Sequence, residues 1–339
     1  MLPRAERRTK GAANSSRPAR AKAAATCLLA CDLGGSKLHL AVANRAGGIL
    51  AEVVEETDRR SARALLSQIR KGVATALAEA GIARRQVARA VIGMPGVIDP
   101  TTGRLSLCPN LPDFGRTNVA AAMSRAFGCP ARIENDVNLA VLGERWRGTG
   151  RGEYNMAFIA LGTGIGMGLL CDGRLVRGAH GAAAEIAYLP IGGDPFHRGN
   201  VAVGTFESIV GTPGILRRFA ESGGKGAADV RGILAAMSAG DPIARRVIDD
   251  TTKWTALGIA SVIALCDPEL IVLGGGFDTR REVVARIRAH LRRCLTRPVP
   301  VVPSILGNRA ALLGAIAIGL ADLAPETPAR ARSRKVKAA

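Results

Sequence analysis

The chain has 339 residues, 47% apolar and 22% charged, which suits one large or two ordinary globular domains with a sizeable core. Its formal net charge of +19 invites a nucleic-acid reading, but ten of those charges sit at the two ends. Residues 1–22 carry Arg4, Arg7, Arg8, Lys10, Arg17, Arg20 and Lys22 against Glu6, and residues 325–339 carry Arg330, Arg332, Arg334, Lys335 and Lys337 against Glu326.

Neither end shows apolar periodicity, so 1–25 and 325–339 are expected to be disordered basic tails. No helix-turn-helix pattern stands beside either, and no specific nucleic-acid recognition is expected. The longest apolar run, 310–321, is short of a membrane span and is broken by Gly314 and Gly319. Seven cysteines, an odd number without a Cys-x-x-Cys pair, point to a reducing compartment. The expectation is a cytoplasmic protein with no membrane partner.

In chain order, strands are expected at 27–33 and 37–43 around a Gly-rich turn. A helix follows near 60–80, with Leu65, Leu66, Ile69, Val73 and Leu77 on one stripe and Gly81 as its stop. A buried strand at 87–92 runs into Gly93-Met94-Pro95-Gly96. Thr117 is read as the cap of a helix ending at Gly128. A short strand at 131–133 feeds Glu134-Asn135-Asp136 and a helix to about Trp146. Strands at 156–161 and 168–171 surround a second Gly-rich turn. Asp241-Pro242 opens a long helix to about Cys266. A strand at 269–273 ends in Gly274-Gly275-Gly276, Asp278 is read as the next cap, 298–305 is extended, and Asn308 is read as the cap of the last helix. Alternating strands and helices mean an α/β fold with a largely parallel sheet. His39, His290 and Trp254 are read as structural.

One unit recurs. Asp32-Leu33-Gly34-Gly35-Ser36 and Leu161-Gly162-Thr163-Gly164-Ile165-Gly166 each join two apolar strands. A dinucleotide fold needs a helix after its glycines, and a Walker A loop needs Gly-Lys-Ser/Thr opening a helix; both patterns are absent. What remains is two hairpins whose backbone N–H groups can face the phosphates of one nucleotide. Asp136, where a strand meets a helix, can accept a proton from an attacking hydroxyl or simply cap the helix, as Asn135 can. Both readings stand open on the residues alone.

These motifs, with Pro109-Asn110-Leu111, fall in the order and spacing of the ROK family of sugar kinases and sugar-responsive repressors, and the chain resembles that family over about 27–320. The resemblance implies an actin-like (ribonuclease H-like) ATPase fold. A smaller N-terminal domain (26–135, with the helix at 308–322 packing back on it) and a larger one (136–307) would flank a cleft for ATP and sugar. It places Asp32, Gly34, Gly35, Ser36 and Lys37 in a first phosphate hairpin, with Asp32 near Mg²⁺. Thr163, Gly164 and Gly166 would form the second hairpin, and Gly274, Gly275 and Gly276 would lie near adenosine. Asn110, Asn135, Asp136, Glu185 and Glu207 would contact the sugar, and Asp136 would be the general base. A homodimer is implied too.

The chain departs from the family's zinc-containing members. Tyr188 stands at their histidine, with its hydroxyl expected to replace the imidazole at the sugar site, and 189–206 contains no cysteine. Cys171, His180 and His197 fit no known ligand spacing, so zinc is not expected. Ala184 and Ala187 replace glycines that flank the family's glutamate. The expected activity is ATP- and Mg²⁺-dependent phosphorylation of a hexose, at the 6-hydroxyl as in a glucokinase. The alternative is a sugar-binding regulator with little or no kinase activity.

Overall fold

The computed structural model describes residues 27–324 apart from 100, 107, 109, 277–279 and 298. Both basic tails and the expected cap Asp278 lie outside the described residues. The chain begins with β1 (Cys27–Leu33), β2 (Lys37–Asn44), β3 (Ile49–Glu56), α1 (Ala62–Glu79) and β4 (Val87–Met94). A small hairpin, β5 (Val97–Ile98) with β6 (Leu105–Ser106), precedes α2 (Val119–Phe127), β7 (Ala131–Asn135) and α3 (Asp136–Arg147). Next come β8 (Met156–Leu161), β9 (Ile165–Cys171) and β10 (Arg174–Leu175), then α4 (Arg198–Val203), α5 (Glu207–Val210), α6 (Thr212–Glu221) and α7 (Val230–Ser238). The last elements are α8 (Pro242–Cys266), β11 (Leu270–Gly274), α9 (Arg281–Cys294), β12 (Val301–Pro303) and α10 (Ala310–Leu323).

The strands build two five-stranded sheets of one design, ordered β3-β2-β1-β4-β7 and β10-β9-β8-β11-β12. In each, the first three strands in sequence form an antiparallel meander, and the fourth and fifth add in parallel. The central strands are apolar on both faces because helices cover both. Leu29, Cys31 and Leu33 of β1 face a core shared with Leu65, Ile69 and Val73 of α1 and with Met123 and Phe127 of α2. The alternate residues Leu28 and Ala30 join Met156 and Phe158 of β8 in a second core around α3 and α10. These two helices therefore lie between the sheets, and α10 packs against β1 and β4. They approach so closely that a Cβ on Gly143 would strike the Ala310 carbonyl, and one on Gly314 the Leu139 carbonyl. A third core joins β8 and β11 to α8 and α9.

Asp241 accepts the N–H groups of Ile243 and Ala244, with Pro242 in the first turn, as the sequence suggests. Elsewhere the ends differ from expectation. Asn118, not Thr117, caps α2 by accepting the Ala121 N–H at 2.9 Å. Asn308 falls in a 3₁₀ turn (Gly307–Arg309), so α10 starts at Ala310 without a side-chain cap. β3 and the short helices α4 to α7 are additions to the sequence reading. His39 is buried beside Glu52, His290 lies 3.4 Å from Asp249, and Trp254 packs at the edge of the third core. Among the described residues, no helix is long and apolar enough to cross a membrane.

Candidate active site

A cleft of about 1090 Å³ opens at the carboxyl ends of the parallel strands β4, β7, β8 and β11, where α/β sheets place their ligand sites. Of the residues singled out in the sequence, Asn110, Asn135, Asp136, Thr163, Gly164, Gly166, Glu185, Tyr188, Glu207 and Gly275 line it. Asp32, Gly34, Gly35, Ser36, Lys37, Gly274 and Gly276 are not part of its wall.

Asp136 is the first residue of α3. Asn135, directly before it, is the helix cap: its Oδ1 accepts the Val137 and Asn138 N–H groups, and its Nδ2 donates to the Gly96 carbonyl at 3.2 Å. Asn135 thus caps the helix while still lining the cleft, and Asp136 beside it accepts the Val137 N–H through Oδ1 at 2.8 Å. Burial raises the proton affinity of the Asp136 carboxyl, and the backbone N–H groups of Val137 and Asp136 offset part of that rise. Val137 packs on Gly166, where a Cβ would come within 2.9 Å, so α3 brings Asp136 to the second hairpin.

That hairpin is braced on three sides. The Thr212 hydroxyl donates to the Gly162 carbonyl at 2.7 Å, and the Thr212 N–H donates to it at 3.0 Å. Gly275, at φ +100°, turns the β11 end against the hairpin so closely that a Cβ would strike the Leu161 carbonyl; only glycine suits both the conformation and the contact. Glu207 Oε2 accepts the Ile165 N–H at 2.9 Å. Gly274 itself is buried under the Phe158 ring, while Gly276 has open space around it.

The first hairpin repeats the bracing with other residues. The Thr57 hydroxyl donates to the Gly34 carbonyl at 2.7 Å, and Gly34 N–H donates to the Lys37 carbonyl at 2.9 Å. A Cβ on Gly35 would come within 2.6 Å of the Asn110 side chain, so only glycine lets the 110 segment lie on this turn. Asp32 sits in β1 between His39 of β2 and Gly93 of β4. Its pKa is pushed up from 3.8 to about 7, chiefly by burial and then by Asp136, with Lys37 pulling the other way.

Glu185 and Glu207 complete an acidic group around the cleft. Burial raises both, and Asp136 and Glu207 add to the rise at Glu185. Ala184 adopts φ +70°, the left-handed backbone that glycine takes without strain and that costs alanine roughly 1–2 kcal/mol. Tyr188 ends a 3₁₀ turn (Ile186–Tyr188) and is 43% exposed at the cleft edge. The segment beyond is tied by Phe206 N–H to the Ala187 carbonyl (3.1 Å), Asn200 Nδ2 to the Asp194 carbonyl (2.8 Å), and Ser208 Oγ to the Thr205 carbonyl (2.8 Å). Among the described residues, no group of three or more His, Cys, Asp or Glu side chains is arranged to hold a metal ion.

Thr57, Thr212 and Arg177 were not singled out in the sequence. Each is a lone polar residue outside any motif, and only the fold shows what it touches.

The ROK family profile matches residues 28–324. The chain is 28% identical over 294 residues to the beta-glucoside kinase of Listeria monocytogenes, covering 85% of this chain and 96% of that one. It is 27% identical over 312 residues to the glucokinase of Thermotoga maritima, covering 86% and 96%. Among solved structures, the ROK family glucokinase of Streptomyces griseus, in complex with glucose and AMPPNP, superposes with a TM-score of 0.71 at 27% identity, covering 86% of this chain and 98% of that one. Two sheets of one order with α3 and α10 between them form the actin-like ATPase fold of these relatives. With the profile spanning nearly all the described residues, the chain belongs to the ROK family.

Proposed function

We propose that this protein is an ATP-dependent sugar kinase that transfers the γ-phosphoryl group to a hexose hydroxyl, the 6-hydroxyl in a glucokinase-like reaction, with Asp136 as general base. The observation that carries the reading is the placement of Asp136: a carboxyl of raised proton affinity at the cleft, held beside the second glycine hairpin by Val137 on Gly166. A carboxylate there takes the proton of an attacking alcohol while backbone N–H groups offset charge on the transferring phosphoryl. Glu185, Glu207 and Asn110 line the same cleft and offer acceptors and a donor to sugar hydroxyls. The likeness to kinases of glucose and of beta-glucosides supports the substrate class.

Asp32 is the residue best suited to hold Mg²⁺. Burial and Asp136 leave its carboxylate short of positive charge, which Lys37 offsets only in part. A bound Mg²⁺ would supply charge neutralisation of the phosphates. Closure of the cleft on the sugar would exclude water and suppress ATP hydrolysis.

The test is ADP release coupled to sugar-phosphate detection, with glucose, N-acetylglucosamine and N-acetylmannosamine offered in turn. Wild type is expected to turn over at least one sugar, and Asp136→Asn to lower kcat by about 10²–10⁴-fold with sugar binding retained. Equal rates in variant and wild type would remove Asp136 from the chemistry. Sugar binding without ADP release across the panel would favour the regulator instead.

A further inference from the structure

Two residues before Asp136, Glu134 is buried at the end of β7. Its Oε1 accepts from Asn138 Nδ2 at 3.0 Å and from the Asn135 N–H at 3.3 Å, both at the start of α3. Its Oε2 accepts from Arg177 Nε at 2.9 Å and Nη2 at 2.7 Å. Arg177 belongs to the other half of the molecule, just past β10 of the second sheet. Its own carbonyl accepts the Ala183 N–H at 3.0 Å, closing the loop immediately before Ala184 and Glu185. An unbroken run of bonds thus leads from the residues flanking Asp136, through one ion pair, to the residues flanking Glu185.

The chemistry of the pair suits a spacer. A guanidinium that meets a carboxylate oxygen through both Nε and Nη2 is held in direction as well as distance, which an ammonium cannot reproduce. Glu134 has its other oxygen already filled by α3, so a shift of Arg177 is transmitted to the helix end and not absorbed by a loose side chain. On the far side, the left-handed backbone at Ala184 shows that the loop is held in a shape its sequence does not prefer. Something outside the loop must fix it, and the ion pair with Glu134 is its anchor to the first sheet.

We infer that Arg177 is a positioning residue that sets the spacing of Asp136 and Glu185 across the cleft through its ion pair with Glu134. The inference rests on the sugar-kinase reading in assigning both carboxylates to the sugar. A spacer of this kind acts on the sugar and not on the nucleotide hairpins, which are braced independently by Thr57 and Thr212.

The experiment compares wild type, Arg177→Met and Arg177→Lys by calorimetry with sugar, calorimetry with a nonhydrolysable ATP analogue, and kcat. Arg177→Met is expected to weaken sugar binding and lower kcat/KM for the sugar about 100-fold, with ATP-analogue affinity within twofold of wild type. Arg177→Lys, which keeps the charge but loses the fork, should recover about tenfold of that loss; should Arg177→Met fail to fold, Arg177→Lys against wild type carries the comparison. Unchanged sugar binding and kcat/KM in the variants would overturn the inference and leave the kinase reading intact. So would equal losses toward sugar and ATP analogue that track a fall in Tm, the mark of a merely structural contact. Wild type that binds sugar without turnover, beside variants that lose sugar affinity alone, would end the kinase reading and uphold the spacer.

Discussion

The two glycine hairpins are the same backbone device used for different chemistry. Each joins the first two strands of a sheet of identical order, and each has the carbonyl of its first glycine held by a threonine hydroxyl at 2.7 Å, from Thr57 in one and Thr212 in the other. The residues around them diverge. The first has Asp32 two residues before its leading glycine, where the second has Ala160, and it lies against Asn110. The second has no acid in its strand, packs on Gly275, and holds the Glu207 carboxylate at the Ile165 N–H. The two halves share how the turn is braced, while their ionisable groups differ. On the proposed reading, the first hairpin would bring a carboxylate to a cation, and the second would bring backbone N–H groups beside the proposed base.

That asymmetry is most sharply tested at Asp32. Asp32→Asn is expected to lower kcat about 100-fold or more with Mg²⁺-ATP, since the buried charge is what a divalent ion would meet. The same change should make the ligand-free fold more stable at neutral pH. Folded Asp32 keeps its proton up to about pH 7, whereas the unfolded chain releases it near 3.8, so wild-type stability falls as pH rises through that window. A tenfold difference in proton affinity between folded and unfolded chain is worth about 1.4 kcal/mol, which puts the whole gap at roughly a few kcal/mol. Melting curves of the two proteins should therefore coincide near pH 4 and separate, with the variant higher, toward pH 8. A variant that melts lower at pH 8 would contradict the assignment.

The shared bracing predicts a smaller and symmetrical effect. Thr57→Val and Thr212→Val each remove one hydrogen bond to a glycine carbonyl and should each cost about 1 kcal/mol in denaturant unfolding. Both should also raise the KM for ATP. A large effect at one hairpin and none at the other would show that the likeness of the two is geometric only. The smallest effect is expected at Ala184, whose left-handed backbone is eased by Ala184→Gly. Relief of strain less the added freedom of the unfolded chain gives a gain of about 0.5–1 kcal/mol, read as a rise in Tm.

The repeated design was legible in the sequence because its parts are local. Largely buried strands such as 27–33, apolar but for Asp32, and 156–161, apolar throughout, each end in glycines followed by another mostly apolar run. β3 escaped notice because it is an edge strand, half exposed and carrying Glu52, Glu55 and Glu56. The helices α4 and α5, of six and four residues, offer too few turns for a period to emerge. Within the site, Asp136 and the glycines were visible as motif residues. Asp136 stood open between general base and helix cap, and in the structure the capping residue is Asn135, one position earlier. Thr57 on Gly34, Asn110 on Gly35 and Arg177 on Glu134 were invisible for a different reason. Each partner lies 23 to 75 positions away, and nothing local marks the contact.

A crystal structure of the complex with an ATP analogue, magnesium and glucose tests the central claim most directly. The account predicts phosphates seated between the turns at 34–37 and 163–166, with a sugar hydroxyl within hydrogen-bond distance of the Asp136 carboxylate. Nucleotide bound away from both turns, or a sugar whose hydroxyls all lie beyond reach of Asp136, would contradict it.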